Sequence, residues 1–305
     1  MTDLTQDEVI SKVSSIFDVK DIVINTNDIR LKIEDKDFKN KFVDLARQLE
    51  VRNFVPHLEK SFDGVDIVVT RLPETKRKWL SKSWVPRILF AVTVTMVLID
   101  GYFRTDFVNS LAFIGDPFEM SILYAFSLIG ILGVHESGHL IAAKKHKIRT
   151  TWPYFIPGVP VFGIPTFGAL IQSKGLTINR DILFDVAIAG PIAGLVIAII
   201  VCIFGAYTSP EISNELADEL FKESQLMKMN MPILMSISLD AFDKGGKDAQ
   251  VVMSPIMFAA WLGFLITFLN LLPAWQLDGG HMAISLLGQQ CQKIDPYARM
   301  DVLTP

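Results

Sequence analysis

The 305-residue sequence has only two cysteines, Cys202 and Cys291. Cys202 lies within an apolar segment and Cys291 follows the last one, so no disulfide framework is expected and the thiols do not report a redox compartment. A recognisable targeting segment is missing as well. Met1 to Val19 is polar and acidic, with no basic start leading into a short apolar core, so no signal or transit peptide is expected. A formal net charge of −4 selects no partner, and no nucleic-acid signature is present. The most informative scarcity is charge itself. Residues 1–87 are rich in Lys, Asp and Glu, whereas most of residues 88–280 are apolar. With 50% hydrophobic residues and a positive mean hydropathy, the chain is too apolar for an average soluble protein.

That unevenness divides the chain. Residues 1–75 read as a small soluble α/β domain, with short strands over 19–24, 29–33 and 65–70. Phe38, Phe42, Leu45, Ala46 and Leu49 recur there at helical spacing. Residues 76–87 read as a basic juxtamembrane linker carrying Lys76, Arg77, Lys78, Lys82 and Arg87. Four apolar segments follow as candidate spans, at about 86–104, 118–143, 182–206 and 252–276. Between the second and third, residues 152–173 are apolar but carry Pro153, Pro157, Pro160 and Pro165. They cannot form one regular helix, and are expected to form a re-entrant, β-hairpin-like segment. The expected fold is therefore a polytopic α-helical membrane protein of about four spans, with a small N-terminal cytosolic α/β domain.

Loop charges give an orientation. The stretch before the first span is basic, as are Lys144, Lys145, Lys147 and Arg149 after the second, which places both inside. The loop after the first span carries Asp106, Asp116 and Glu119 against Arg104, and residues 207–250 carry eight acids against four bases, which places both outside. The second and fourth spans then run in the same direction and end at the same face. The N-terminal domain is expected in the cytoplasm.

At the inner end of the second span stands His135-Glu136-Ser137-Gly138-His139. On a helix the two imidazoles share one face, one turn apart, and can hold one zinc ion, with Glu136 as general base. Met120 to Val134 before the motif contains no charged residue. Ionisable groups at such depth are costly, so a functional role is the default reading. A catalytic zinc takes three protein ligands and keeps one position open. No Glu occurs between Glu136 and Glu211, and no third His stands at metzincin spacing after His139. By sign, depth and direction of spans, Asp278 just past the fourth span is the best remaining donor.

His-Glu-x-x-His in one span and Asn270-Leu271-Leu272-Pro273 followed by Leu277-Asp278-Gly279 in a later one resemble the site-2 protease family of intramembrane zinc metallopeptidases. Phe167-Gly168-Ala169-Leu170-Ile171 and Ala189-Gly190-Pro191-Ile192-Ala193-Gly194 resemble its archaeal and plastid-type members. The resemblance covers roughly residues 86–285, the expected intramembrane protease core. It implies one zinc ion on His135, His139 and Asp278, Glu136 as the catalytic base, and Asn270 positioning the substrate or its oxyanion. It implies peptide-bond hydrolysis in or near transmembrane segments of membrane-protein substrates. It also implies an extended substrate pairing with the hairpin's edge, and a multi-pass protein in the lipid bilayer of a prokaryotic plasma membrane. Two departures stand out. Trp275 and Gln276 occupy positions where many members carry Pro, and residues 286–305 form a tail where many members continue into further spans, which leaves truncation there open.

Plainer readings compete. Asp278 is also a candidate helix N-cap, Asn270 a candidate interhelical hydrogen-bonding group, and Gly190 and Gly194 a close-packing motif. His281, three residues after Asp278, reads as a loop or helix-start residue, and Met227 to Met235 as an amphipathic or membrane-resting segment outside. The alternative function is a catalytically silent membrane protein that binds clients on the same scaffold. An intact Glu136 opposes it. A zincin with a Glu as third ligand is opposed by the missing downstream Glu.

Overall fold

The computed structural model describes residues 5–25, 28–34, 39–50, 54–61, 64–71, 84–148, 150–160, 163–171, 180–223, 229–247, 249–274 and 277–287. Phe38, Lys76, Arg77, Lys78, Lys82, Arg149, Trp275, Gln276, Cys291 and the tail beyond residue 287 lie outside them.

The N-terminal part opens with α1 (Gln6–Ser14). Thr5 and Glu8 form a reciprocal capping box there, and Val9 and Val13 are buried on one face. β1 (Val19–Ile24), β2 (Asp28–Ile33), α2 (Lys39–Glu50), β3 (Phe54–Ser61) and β4 (Gly64–Arg71) follow. The strands form one antiparallel sheet in the order β1-β2-β4-β3. Ile29, Leu31 and Ile33 alternate inward from β2 and meet Leu45 and Leu49 of α2 and Val9 and Val13 of α1. β1, β2 and β4 lie where the β-branched runs suggested. α1 and β3 are additions: the first is masked by a polar composition, the second by Pro56 and its charged neighbours, which depress β propensity.

The apolar part is built from α3 (Val85–Leu111), α4 (Pro117–Lys145), α5 (Arg180–Thr208) and α8 (Pro255–Asn270). Among the described residues the first three are long and apolar enough to cross a membrane, while α8 has 16 residues. α3 runs seven residues past the apolar segment expected to end at 104, because Arg104 pairs with Asp100 one turn back and the helix continues. α4 starts sharply. Pro117 takes a position that needs no N–H donor, and the Asp116 carboxylate accepts from the Phe118 and Glu119 amides at 2.9 and 3.1 Å. Ser254 and Pro255 do the same for α8, which ends at Asn270 rather than near 276. Pro273 follows, and the chain turns into α9 (Asp278–Leu287).

α4 packs against α3, α5 and α8. Tyr124, Leu128 and Leu132 join Val97 of α3 and Phe258, Ala259 and Leu262 of α8, while Ile131 joins Ala198 and Cys202 of α5 and Met257 of α8. Phe126, Ile200 and Ile203 point outward with large exposed areas, as the lipid-facing side of such a bundle does.

Two small additions complete the bundle. β5 (Tyr154–Pro157) and β6 (Thr166–Leu170) form an antiparallel hairpin, with Phe155 opposite Ala169 and β5 against α3. Between α5 and α8 lie β7 (Glu211–Ser213), α6 (Asn214–Lys222), α7 (Ile233–Asp240) and β8 (Ala249–Val251). In the methionine-rich stretch, Met227 lies outside the described residues. Met235 is fully buried against α5 and α8, so this residue packs inside rather than resting on a membrane surface.

Candidate metal centre

His135, Glu136 and His139 sit in the C-terminal half of α4, where the 3.6-residue period turns both imidazoles toward α5 and α9. His135 and Glu136 are buried at 4% and 6% exposure, and His139 is partly buried. Asp278 is the first residue of α9, so it reaches the site from the far side of the turn after α8. Its Oδ2 lies 3.3 Å from Nε2 of His135 and 3.3 Å from Nε2 of His139, and the two nitrogens are 3.2 Å apart.

These separations fit a zinc-type ion. A tetrahedral ion at roughly 2.0–2.1 Å from each ligand holds its donors about 3.3–3.4 Å apart. The donor set is also right in kind, two imidazole nitrogens and one carboxylate oxygen, which leaves a fourth position for water or substrate. Among the described residues these three form the group of His, Cys, Asp and Glu side chains close enough to share an ion.

Neighbouring groups fix the orientation of the rings. Nδ1 of His139 lies 2.7 Å from the carbonyl oxygen of Val186, which can only accept. Nδ1 therefore carries the proton, and the Nε2 lone pair faces the centre. The turn that offers this carbonyl directly precedes Pro191, a proline inside α5. One turn further, Gly190 and Gly194 face the two histidines. A methyl group on Gly190 would collide with the His139 ring, and one on Gly194 would stand 2.9 Å from Cβ of His135.

Asn270 closes α8, with its amide nitrogen 3.3 Å from Nε2 of His135. This contact between α8 and α4 is an interhelical one made at the site itself. Glu136, Asn270 and His281 line the same cavity of about 230 Å³ as the three donors. Ala169 and Leu170 of β6 form part of its wall, as does Val186 of α5.

The structure brings together every residue singled out for the site: His135, Glu136, His139, Asn270 and Asp278. Val186 joins the site through its backbone carbonyl and carries no sequence signal. Gly190 and Gly194 are packing residues by their pattern, and their four-residue spacing repeats that of the histidines they face.

A family model described as Peptidase family M50 matches residues 123–302, more than half of the chain. "Probable zinc metalloprotease EGY2, chloroplastic" of Oryza sativa subsp. indica is 33% identical over 162 residues, covering 52% of this chain and 28% of that protein. "Probable zinc metalloprotease EGY1, chloroplastic" of Arabidopsis thaliana is 31% identical over 184 residues, covering 57% and 33%. "Probable zinc metallopeptidase EGY3, chloroplastic" of Arabidopsis thaliana is 26% identical over 230 residues, covering 70% and 38%. The chain thus spans roughly a third of the length of these curated relatives. No solved structure matches it.

Proposed function

The chain belongs to peptidase family M50, the site-2 protease family, and from that premise we propose that it is an intramembrane zinc metalloendopeptidase. Its reaction is hydrolysis of peptide bonds in or near transmembrane segments of other membrane proteins. The observation that carries the proposal is the meeting of His135, His139 and Asp278 at 3.2–3.3 Å from one another at the end of an apolar helix. Nothing in the folding of an apolar bundle calls for that costly cluster.

His135, His139 and Asp278 would hold one zinc ion. When bound, zinc supplies Lewis acidity, which acidifies water and favours negative charge on a carbonyl oxygen. Glu136, buried in the same cavity, takes a proton from the attacking water and returns it to the leaving amine nitrogen. The Asn270 amide orients the scissile carbonyl or the oxyanion formed from it. The Val186 carbonyl keeps His139 in the tautomer that donates from Nε2.

The bilayer shapes substrate access. A transmembrane helix hides its carbonyls in its own hydrogen bonds and must be unwound before it can be cut. Once extended, it can pair with a strand edge. β6 suits that role because Ala169 and Leu170 already line the cavity. In this reading β5–β6 is a re-entrant hairpin, and α8 with its apolar flanks is a fourth crossing. Residues 1–75 form a cytoplasmic domain joined by a basic linker over 76–87 to the protease core over 86–285. The membrane is a prokaryotic plasma membrane.

The test uses a single-span reporter incubated with purified protein in detergent or vesicles. Wild type should cut it. Glu136→Gln should be slower by about 10²–10⁴-fold while keeping its zinc. Equal cleavage by the two would overturn the enzyme reading and favour a client-binding scaffold.

A further inference from the structure

A second polar cluster lies toward the opposite end of the helices. Asp100 of α3 is completely buried. Arg104, one turn on, donates from Nε to its Oδ2 at 2.6 Å, and the hydroxyl of Tyr124 on α4 donates to the same oxygen at 2.8 Å. The Arg104 guanidinium carbon lies 3.6 Å from the centroid of the Phe258 ring on α8. Its Nη2 donates to the carbonyl of Gly163 at 3.0 Å, in the turn of the β5–β6 hairpin. One side chain thus ties α3, α8 and the hairpin turn together, and it shares its carboxylate partner with α4. Ionisable groups at membrane depth are costly, and a buried ion pair is often no more stable than apolar residues of similar volume. Helix packing alone is therefore a weak reason for this arrangement.

We propose that Arg104 is a positioning residue that latches the hairpin turn to the α3–α4–α8 bundle and so fixes where β6 lies along the cavity of the metal centre. The hairpin is suited to transmit such a constraint. Its turn is closed internally, with the Gly158 amide bonded to the Pro165 carbonyl at 2.9 Å and the Thr166 hydroxyl to the Ile156 carbonyl at 2.9 Å. Phe155 of β5 packs edge-on against Phe90 of α3 at 5.0 Å between centroids, which holds the strand sideways. The apolar contact of Phe155 tolerates sliding, whereas the bond to the Gly163 carbonyl sets a position along the strand. Ala169, which lines the cavity, is six residues from Gly163, a lever of roughly 20 Å at the rise of a strand. Because successive strand residues face opposite sides, even a small slip changes which groups β6 presents to an extended substrate. The consequence for catalysis rests on the protease reading; the placement of the hairpin does not.

Arg104→Lys separates a latch from a simple ion pair. Lysine keeps the charge beside Asp100 but lacks the planar fork that reaches Asp100 and Gly163 together while lying on Phe258. Spin labels at the exposed Val159 and Ile200, in a Cys202→Ala/Cys291→Ala background, report the hairpin's position against α5 without needing activity. The expected result is one narrow distance distribution with Arg104 and a broader or shifted one with Lys. On the single-span reporter, KM should rise about tenfold, as for a lost charge-assisted hydrogen bond, with kcat within about twofold. An unchanged distribution in Arg104→Lys overturns the latch. A broadened distribution with unchanged KM overturns its role in positioning substrate. A wild type that cuts no reporter removes the protease reading alone, and the distance measurement still decides the latch. If Arg104→Lys does not accumulate, Arg104→Gln, whose shorter single amide cannot bond Asp100 and Gly163 together, is read by the same two measurements with the same expected and contrary results.

Discussion

His135 and His139 on α4 face Gly194 and Gly190 on α5 in antiparallel order, so the histidine nearer the middle of α4 meets the glycine nearer the middle of α5. The absence of side chains on α5 is what lets two imidazoles stand between helices that otherwise pack closely. Gly190→Ala should therefore displace the His139 ring from Asp278, and its zinc content should fall well below that of wild type at equal protein recovery. Zinc retained in full would show that the ring is not held by this contact. The histidine pair and its glutamate were legible as residues, because side chains of those types at that spacing have few other uses in an apolar stretch, whereas Asn270 was legible equally as an interhelical hydrogen-bonding group. The glycines were legible only as a spacing. Which face of α5 meets α4 is decided by packing, and the Val186 carbonyl is invisible to any reading of side chains.

At the scale of elements, the strong signals were the apolar runs and the β-branched strands, and the weak ones were the boundaries. The Asp106 and Arg104 charges ended the apolar pattern of α3, yet the helix extends to Leu111 because Arg104 finds its partner within the same helix. Conversely, residues 249–277 carry no charge, yet α8 occupies only Pro255–Asn270 of them, bounded by Ser254 as cap and Pro273 beyond its end. A capping box at Thr5 and Glu8, with Val9 and Val13 four residues apart, was the signal that α1 carried and that composition hid. The cap of α8 is the most heavily used. The Ser254 hydroxyl is completely buried, accepts from the Met257 amide at 3.1 Å and meets the Thr208 hydroxyl at 3.0 Å. Ser254→Ala should lower unfolding stability in detergent by about 1–2 kcal/mol, read from the denaturant midpoint. A change below a few tenths would mean that the C-terminal end of α5 rather than this cap holds the start of α8.

Across the whole molecule, the third donor is a product of topology. Asp278 is 139 positions from His139, and no local pattern joins them. What joined them in the sequence was loop charge, which gave the second and fourth apolar segments the same direction and thus a common end. The structure adds what charge could not supply: the short α8 and the turn into α9 bring the Asp278 carboxylate to 3.3 Å from both imidazoles. The same topology lets the hairpin touch Arg104 at one end and the cavity at the other. Neither contact is readable from residues 152–173 alone, whose prolines announce only that no regular helix forms there.

The most direct measurement is the zinc content of purified protein by elemental analysis, comparing wild type with His135→Ala and Asp278→Ala. A centre shared by α4 and α9 predicts one zinc per wild-type chain and a large loss from each variant. A full equivalent of zinc retained by Asp278→Ala would contradict it.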